Sequence, residues 1–164
     1  MEIKLEKAVT LLPFAFLLHN IEEGYGMEKW GKPIPSPLHT TVTTQQFIIA
    51  VTLFTVLGFI VIFVKNFYKS DKQFNYVVTG FAGMLFLNVF FPHLIGTISF
   101  SRYVPGVITA LFINLPLTAY ILFKTFTINK LNLKEIVISS VIGALIGIML
   151  VFIFLEAGSI ISNI

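Results

Sequence analysis

Five apolar runs, at about 8–25, 45–64, 75–100, 107–123 and 136–155, constrain this chain more than anything else in it. Each approaches or exceeds the roughly 20 residues needed to cross a bilayer as a helix. In lipid the backbone must satisfy its own hydrogen bonds, so a run of this kind is a helix or it does not span. Only 12% of the residues are charged and mean hydropathy is +0.90, against about 25% charged in a soluble domain. No single water-soluble core could hide this much apolar surface in 164 residues. The expectation is an all-α polytopic membrane bundle of five transmembrane helices, a single domain over 1–164, with the lipid bilayer as its main partner. There is no cysteine, which excludes disulfides, thiolate ligands and cysteine nucleophiles.

The first run could pass for a signal peptide, but Glu2 and Glu6 precede it and no small-x-small cleavage site follows. It reads as a retained helix, with a mild kink at Pro13. Gly24 and Gly26 predict that it ends just past Glu23. Pro33, Pro35 and Pro37, with Gly26 and Gly31, make 26–44 a loop, with Trp30 at headgroup depth and His39 on the surface. Pro92 and Pro116 predict kinks in the third and fourth helices. Pro92 also frees the carbonyl of Asn88, a common way to line a polar cavity that Asn114 would share. Gly143 and Gly147 have the spacing of a helix-packing face, and Glu156 reads as interfacial.

Lysine and arginine set the orientation. Lys4, Lys7, Lys65, Lys69, Lys72, Lys124, Lys130 and Lys134 fall on one side, and Lys29, Lys32 and Arg102 on the other. Cationic loops mark the cytoplasmic side. The expectation is a multi-pass protein of the cell membrane with its N-terminus in the cytoplasm and its C-terminus outside. These lysines report topology and not nucleic-acid binding. The same orientation gathers His19, Glu22, Glu23, His93, Arg102 and Glu156 in the outer half. At about 1.5 Å per residue, His19 stands roughly 18 Å above Lys7, Glu23 roughly 24 Å, and His93 roughly 27 Å above Asn75.

Leu18-His19-Asn20-Ile21-Glu22-Glu23 is the densest polar group in the apolar sequence. Residues three and four apart share a helix face, so His19, Glu22 and Glu23 project together. Two carboxylates at a helix C-terminus oppose the macrodipole, and a proton, an arginine or a metal ion would relieve them. The plain alternative is a helix end whose side chains snorkel to water. The sharper one is a divalent metal, zinc, manganese or iron, held by His19, Glu23 and His93 with a fourth position open. Glu22 is then the general base, or the two glutamates exchange roles. Arg102 and the turn Tyr103-Val104-Pro105-Gly106 would hold an anionic part of the substrate at the start of the fourth helix.

These residues resemble the HXXEE family of integral membrane proteins. His19-Asn20-Ile21-Glu22-Glu23 fits its naming motif, His93 its second histidine, and Tyr103-Val104-Pro105-Gly106 its Y-x-P-G motif. The resemblance covers roughly the first four spans. It implies an enzyme-like membrane protein and brings no substrate with it.

The leading expectation is an integral-membrane enzyme of hydrolase or transferase type. Its metal ligands are His19, Glu23 and His93, its catalytic residues Glu22, Arg102 and Tyr103, and its substrate a lipid or other amphipathic molecule. The alternative is a proton-coupled transporter or a small-ligand-binding membrane protein, in which the histidines and glutamates exchange protons. A structural subunit would not need the polar cluster. The eight-to-three charge count predicts that a reporter fused after Ile164 is active only outside the cytoplasm. Activity inside would mean that one span is miscounted.

Overall fold

The structure is a computed structural model that describes residues 4–31 and 42–162. His39 and most of the expected 26–44 loop lie outside the described residues. Five long helices account for the described chain: α1 (Leu5–Gly31), α2 (Thr44–Phe63), α3 (Asp71–Phe100), α4 (Val107–Thr127) and α5 (Leu133–Ser162). There are no strands among the described residues. Four of the helices, α2 to α5, are long and apolar enough to cross a membrane. α1 is long enough at 27 residues, but its polar residues lower its apolarity; of these, His19 and Asn20 are buried. The protein is an all-α helical membrane bundle.

The helices pack as a closed ring. α1 lies against α2, α2 against α5, α5 against α3, α3 against α4, and α4 returns to α1. One half is dry. Leu12, Phe16, Ile62, Val78, Leu85 and Ile121 are buried together, and Phe16 meets Phe54 and Phe81 edge-to-face at 5.0 and 5.5 Å. Large apolar side chains stand on the outside instead, among them Phe112, Leu145 and Phe152. In water such a surface would associate; in lipid it is the solvated face. At the end of the dry half, Glu135 accepts from Tyr76 at 2.6 Å and pairs with Lys72 at 2.9 Å, tying α3 to α5.

Three expectations change. α1 does not stop after Glu23 but runs on to Gly31. Neither glycine ends the helix, and Gly26 permits close packing: a Cβ on it would lie 2.9 Å from Pro105. That contact outweighs a helix-propensity cost of about 1 kcal/mol per glycine. The negative helix end expected at Glu22 and Glu23 is therefore not there. Second, α3 does more than kink at Pro92. Phe91 has extended dihedrals (φ −132, ψ 121) and the Phe91–Pro92 bond is cis, inside a widened segment Val89–Leu94. α4 has its own widened turn, Ala110–Asn114, ahead of Pro116. Such turns are frequent at functional sites. Third, the fifth helix does not end at 155 but runs on to Ser162, with Glu156 exposed on it.

Gly143 packs as its spacing predicts, but against one particular partner. A Cβ there would fall 2.1 Å from the carbonyl oxygen of Gly80. Neither backbone can yield, so Gly143→Ala should destabilise the bundle by about 1–3 kcal/mol, the usual range for overpacking. Gly24→Ala, whose Cβ would meet only Ile48 at 3.7 Å, should be neutral or slightly stabilising. Equilibrium unfolding in mixed micelles compares the two.

Candidate functional site

The polar cluster sits at the opposite end of the ring from the dry half, where α1, α3 and the start of α4 meet. Because α1 stays helical through Glu23, His19, Glu22 and Glu23 share the face turned toward α3 and α4. The break at Phe91 lets α3 change course and delivers His93 to the same point, fully buried. Glu23 lies between the two rings. Its Oε1 is 3.3 Å from His93 Nε2 and 3.7 Å from His19 Nε2. The imidazoles meet edge-to-face at 4.7 Å. One ligand atom from each of His19, Glu23 and His93 falls within 4.8 Å of the others. Three residues chosen for spacing and depth in the sequence thus share one point in space.

Glu22 has different surroundings. Its Oε1 accepts from Tyr103 Oη at 2.5 Å and from the backbone N–H of Ile108 at 3.1 Å, and its Oε2 accepts from the N–H of Thr109 at 2.7 Å. Ile108 and Thr109 are in the first turn of α4, whose N–H groups have no partner within the helix. An anion is favoured there by the unpaired donors and by the macrodipole. The sequence places an anion-binding helix start here and assigns it to substrate; in the structure the anion is the protein's own Glu22. Three of the roughly four acceptor positions of the carboxylate are engaged. Tyr103 is the one ring of the motif turned to this carboxylate. Desolvation, then its bond to Glu22, pushes the phenol up to about 12, so it remains a neutral donor at any physiological pH.

Arg102 points elsewhere. It donates to the carbonyl of Trp30 at 2.8 Å and lies over the indole at 5.2 Å, while Trp30 meets Phe100 edge-to-face at 5.6 Å. Its role in the structure is to fasten the far end of α1 to the end of α3.

The Y-x-P-G turn is a template for the cluster. Val104 is buried, Pro105 lies against Gly26, and Gly106 closes over the ligands. Gly106 has φ +90, and a Cβ on it would lie 2.7 Å from His93 Cε1, 2.8 Å from Glu23 Cγ and 2.9 Å from His19 Cε1. No other residue type would fit against all three.

Thr109 is a member that the sequence reading misses. Its hydroxyl donates to the carbonyl of Gly106 at 3.1 Å and lies 3.0 Å from His19 Nδ1. A hydroxyl has one proton. With that proton on Gly106, the hydroxyl accepts from His19, and Nδ1 carries the ring's hydrogen. In the neutral ring the Nε2 lone pair then faces the Glu23 carboxylate. Two electron-rich atoms turned toward one another call for a cation between them, whether a proton or a metal. The only hint in the sequence is a threonine in the first turn of a helix, which is too common to single out.

The turn yields a direct test. Gly106→Ala should cost about 1–2 kcal/mol for the left-handed backbone alone, and more because three ligand side chains must move. Its unfolding midpoint should fall further than that of Gly24→Ala. A midpoint equal to wild type would mean that the turn does not press on the histidines.

The comparisons show the family. A family model described as "Protein of unknown function with HXXEE motif" matches residues 10–121, a span that contains His19, Glu22, Glu23, His93, Arg102 and Tyr103. The chain is 30% identical to the "Uncharacterized protein YrkK" of Bacillus subtilis (strain 168) over 154 residues, 94% of this chain and 97% of that protein. No solved structure matches it.

Proposed function

The chain belongs to the HXXEE family, and from that premise we propose that the residues which define the motif form a divalent-metal centre of an integral-membrane enzyme, of hydrolase or transferase type. The observation that carries this reading is the convergence of His19, Glu23 and His93 ligand atoms within 4.8 Å. Two neutral imidazoles and one carboxylate are a donor set of catalytic zinc sites, with a fourth position left for water or substrate. The same set suits iron(II) and manganese. The hydrogen bond from His19 Nδ1 to Thr109 supports it, because metal-ligating histidines are oriented by a partner on the other nitrogen. A divalent ion held there would polarise a substrate oxygen and lower the pKa of a bound water.

The protein's own residues have separable roles. His19, Glu23 and His93 are the ligands. Thr109 fixes the tautomer of His19. Glu22 is a positioning residue: it holds the start of α4, and with it Thr109 and Gly106, against the ligands. Tyr103 is the hydroxyl donor nearest the rim. In the orientation expected from the lysines, this centre would lie near the outer leaflet. There a lipid or other amphipathic substrate could reach it without leaving the membrane.

The test is the metal-to-protein ratio of detergent-purified protein after chelation and back-titration with zinc, manganese and iron. Wild type should approach one ion per chain. His19→Ala and His93→Ala should lose both the ion and the thermal stabilisation it gives, and Thr109→Val should bind about 10–100-fold more weakly. Glu22→Gln separates the two roles weighed for that residue. A general base would keep the metal, whereas a positioning residue should lose stability, because an amide nitrogen then faces N–H donors, and should lose metal affinity with it. A wild-type ratio near zero with all three ions would overturn the metal centre and leave Glu23 and the histidines as a proton-exchanging group of a transporter.

A further inference from the structure

Deeper than the His/Glu centre, polar side chains stand among the buried apolar residues Leu85, Val89 and Ala110. α3 runs toward that centre and α4 away from it, so Asn88 precedes His93 and Asn114 follows Thr109. Both asparagines therefore lie about one helical turn further into the bundle. The widened segments Val89–Leu94 and Ala110–Asn114 pack against each other, and α1 packs against the second. Asn88 stands at the edge of hydrogen-bond reach of the His19 ring, and its Oδ1 has no partner at ordinary hydrogen-bond geometry. Asn114 is wholly buried, and neither its Oδ1 nor its Nδ2 has one. His93 Nδ1 is in the same condition. Buried polar atoms without partners are rare in native proteins and cost about 1–3 kcal/mol each. Four gathered beside one candidate centre point to a ligand that completes them.

Charge decides what kind of ligand. Among the described residues, the ion pairs of Glu23 are both with histidines. Arg102 is turned to Trp30, and Lys72 pairs with Glu135 at the other end of the bundle. A phosphate or carboxylate would enter beside Glu22 and Glu23 with no lysine or arginine to offset it. Carboxamides supply both donors and acceptors without charge, which suits a carbonyl or hydroxyl. A buried site built to hydrogen-bond such a group rejects analogues that leave its amides unpaired.

We propose that Asn88, Asn114 and His93 Nδ1 form a subsite for the uncharged hydrogen-bonding group of the substrate, an ester, amide or alcohol, just deeper than the His19–Glu23–His93 centre. The chemistry done on that group rests on the metal-enzyme reading, but its binding does not. This replaces the anionic substrate expected at Arg102.

The test compares two matched amphiphiles, monodecanoylglycerol and decyl phosphate, added to the full chain in dodecyl maltoside. Thermal unfolding is followed against probe concentration, once with zinc and once with chelator. The neutral probe should raise the wild-type midpoint saturably and the phosphate should not. In Asn114→Leu, of similar size and apolar, apparent affinity for the neutral probe should fall at least tenfold while zinc content stays that of wild type. Asn88→Leu, less buried, serves where Asn114→Leu does not fold. Equal shifts in wild type and variant, a stronger effect of decyl phosphate, or no shift of wild type by the neutral probe would each overturn the subsite. Saturable, Asn114-dependent binding in protein that takes up no zinc would uphold the subsite and remove the metal reading alone.

Discussion

The carboxylate of Glu22 at the start of α4 is the contact on which the arrangement of the site depends. It joins a side chain on α1 to the first amides of a helix nearly ninety residues later. That one contact fixes where α4 begins. Thr109 then lies beside His19, Gly106 folds over both histidines, and Tyr103 stays at the rim. Charge-assisted hydrogen bonds are about twice as strong as neutral ones, and this one is aided by the helix dipole as well. The two adjacent glutamates thus have unlike duties. Glu22 has its charge answered by backbone, so it can be permanent and structural. Glu23 has only two imidazoles facing it, so its charge requires something the fold does not supply.

The remaining contacts hold this constellation from outside. Arg102 and Trp30 pin the extension of α1 beyond the motif. Gly26 lets Pro105 approach α1 closely enough for the turn to sit down on the ligands. On the far side of the ring, the backbone contact of Gly80 with Gly143 sets α3 against α5. α3 is therefore anchored below the break at Phe91 and guided by the turn above it. The break aims His93, and the dry half below keeps the two segments in place.

Fold class was legible because apolar length is a strong signal: five runs became five helices, with bounds shifted by a few residues. The first helix was misjudged at its end. Gly24 and Gly26 look like stop signals, and only the neighbouring Pro105 reveals that Gly26 is there for packing. His19, Glu23 and His93 could be grouped from helical spacing and from depth along antiparallel spans, since both quantities are local to each helix. Thr109 and the capping role of Glu22 could not. They depend on the lateral arrangement of α1, α3 and α4 and on the departure of α3 from regular helix at Phe91. An arginine beside a helix start reads as an anion clamp until a nearer anion, from the same chain, is seen to occupy that start.

A charge count separates the two cations that could answer Glu23. The helix start stabilises the charge of Glu22, so the count turns on Glu23, which brings one negative charge, half-buried, against two buried imidazoles. A proton shared with the imidazoles would bring the group to zero and leave it inert toward a neutral partner, as suits a carrier of protons. A divalent ion would leave one positive charge in a low-dielectric region, where electrostatic interactions are far stronger than in water. Such a charge beside two carboxamides acts on the oxygen of a carbonyl or hydroxyl without any lysine or arginine to help. The subsite proposed at Asn88 and Asn114 is common to both readings; what the divalent ion would add, and a proton would not, is a charge able to polarise the oxygen bound there.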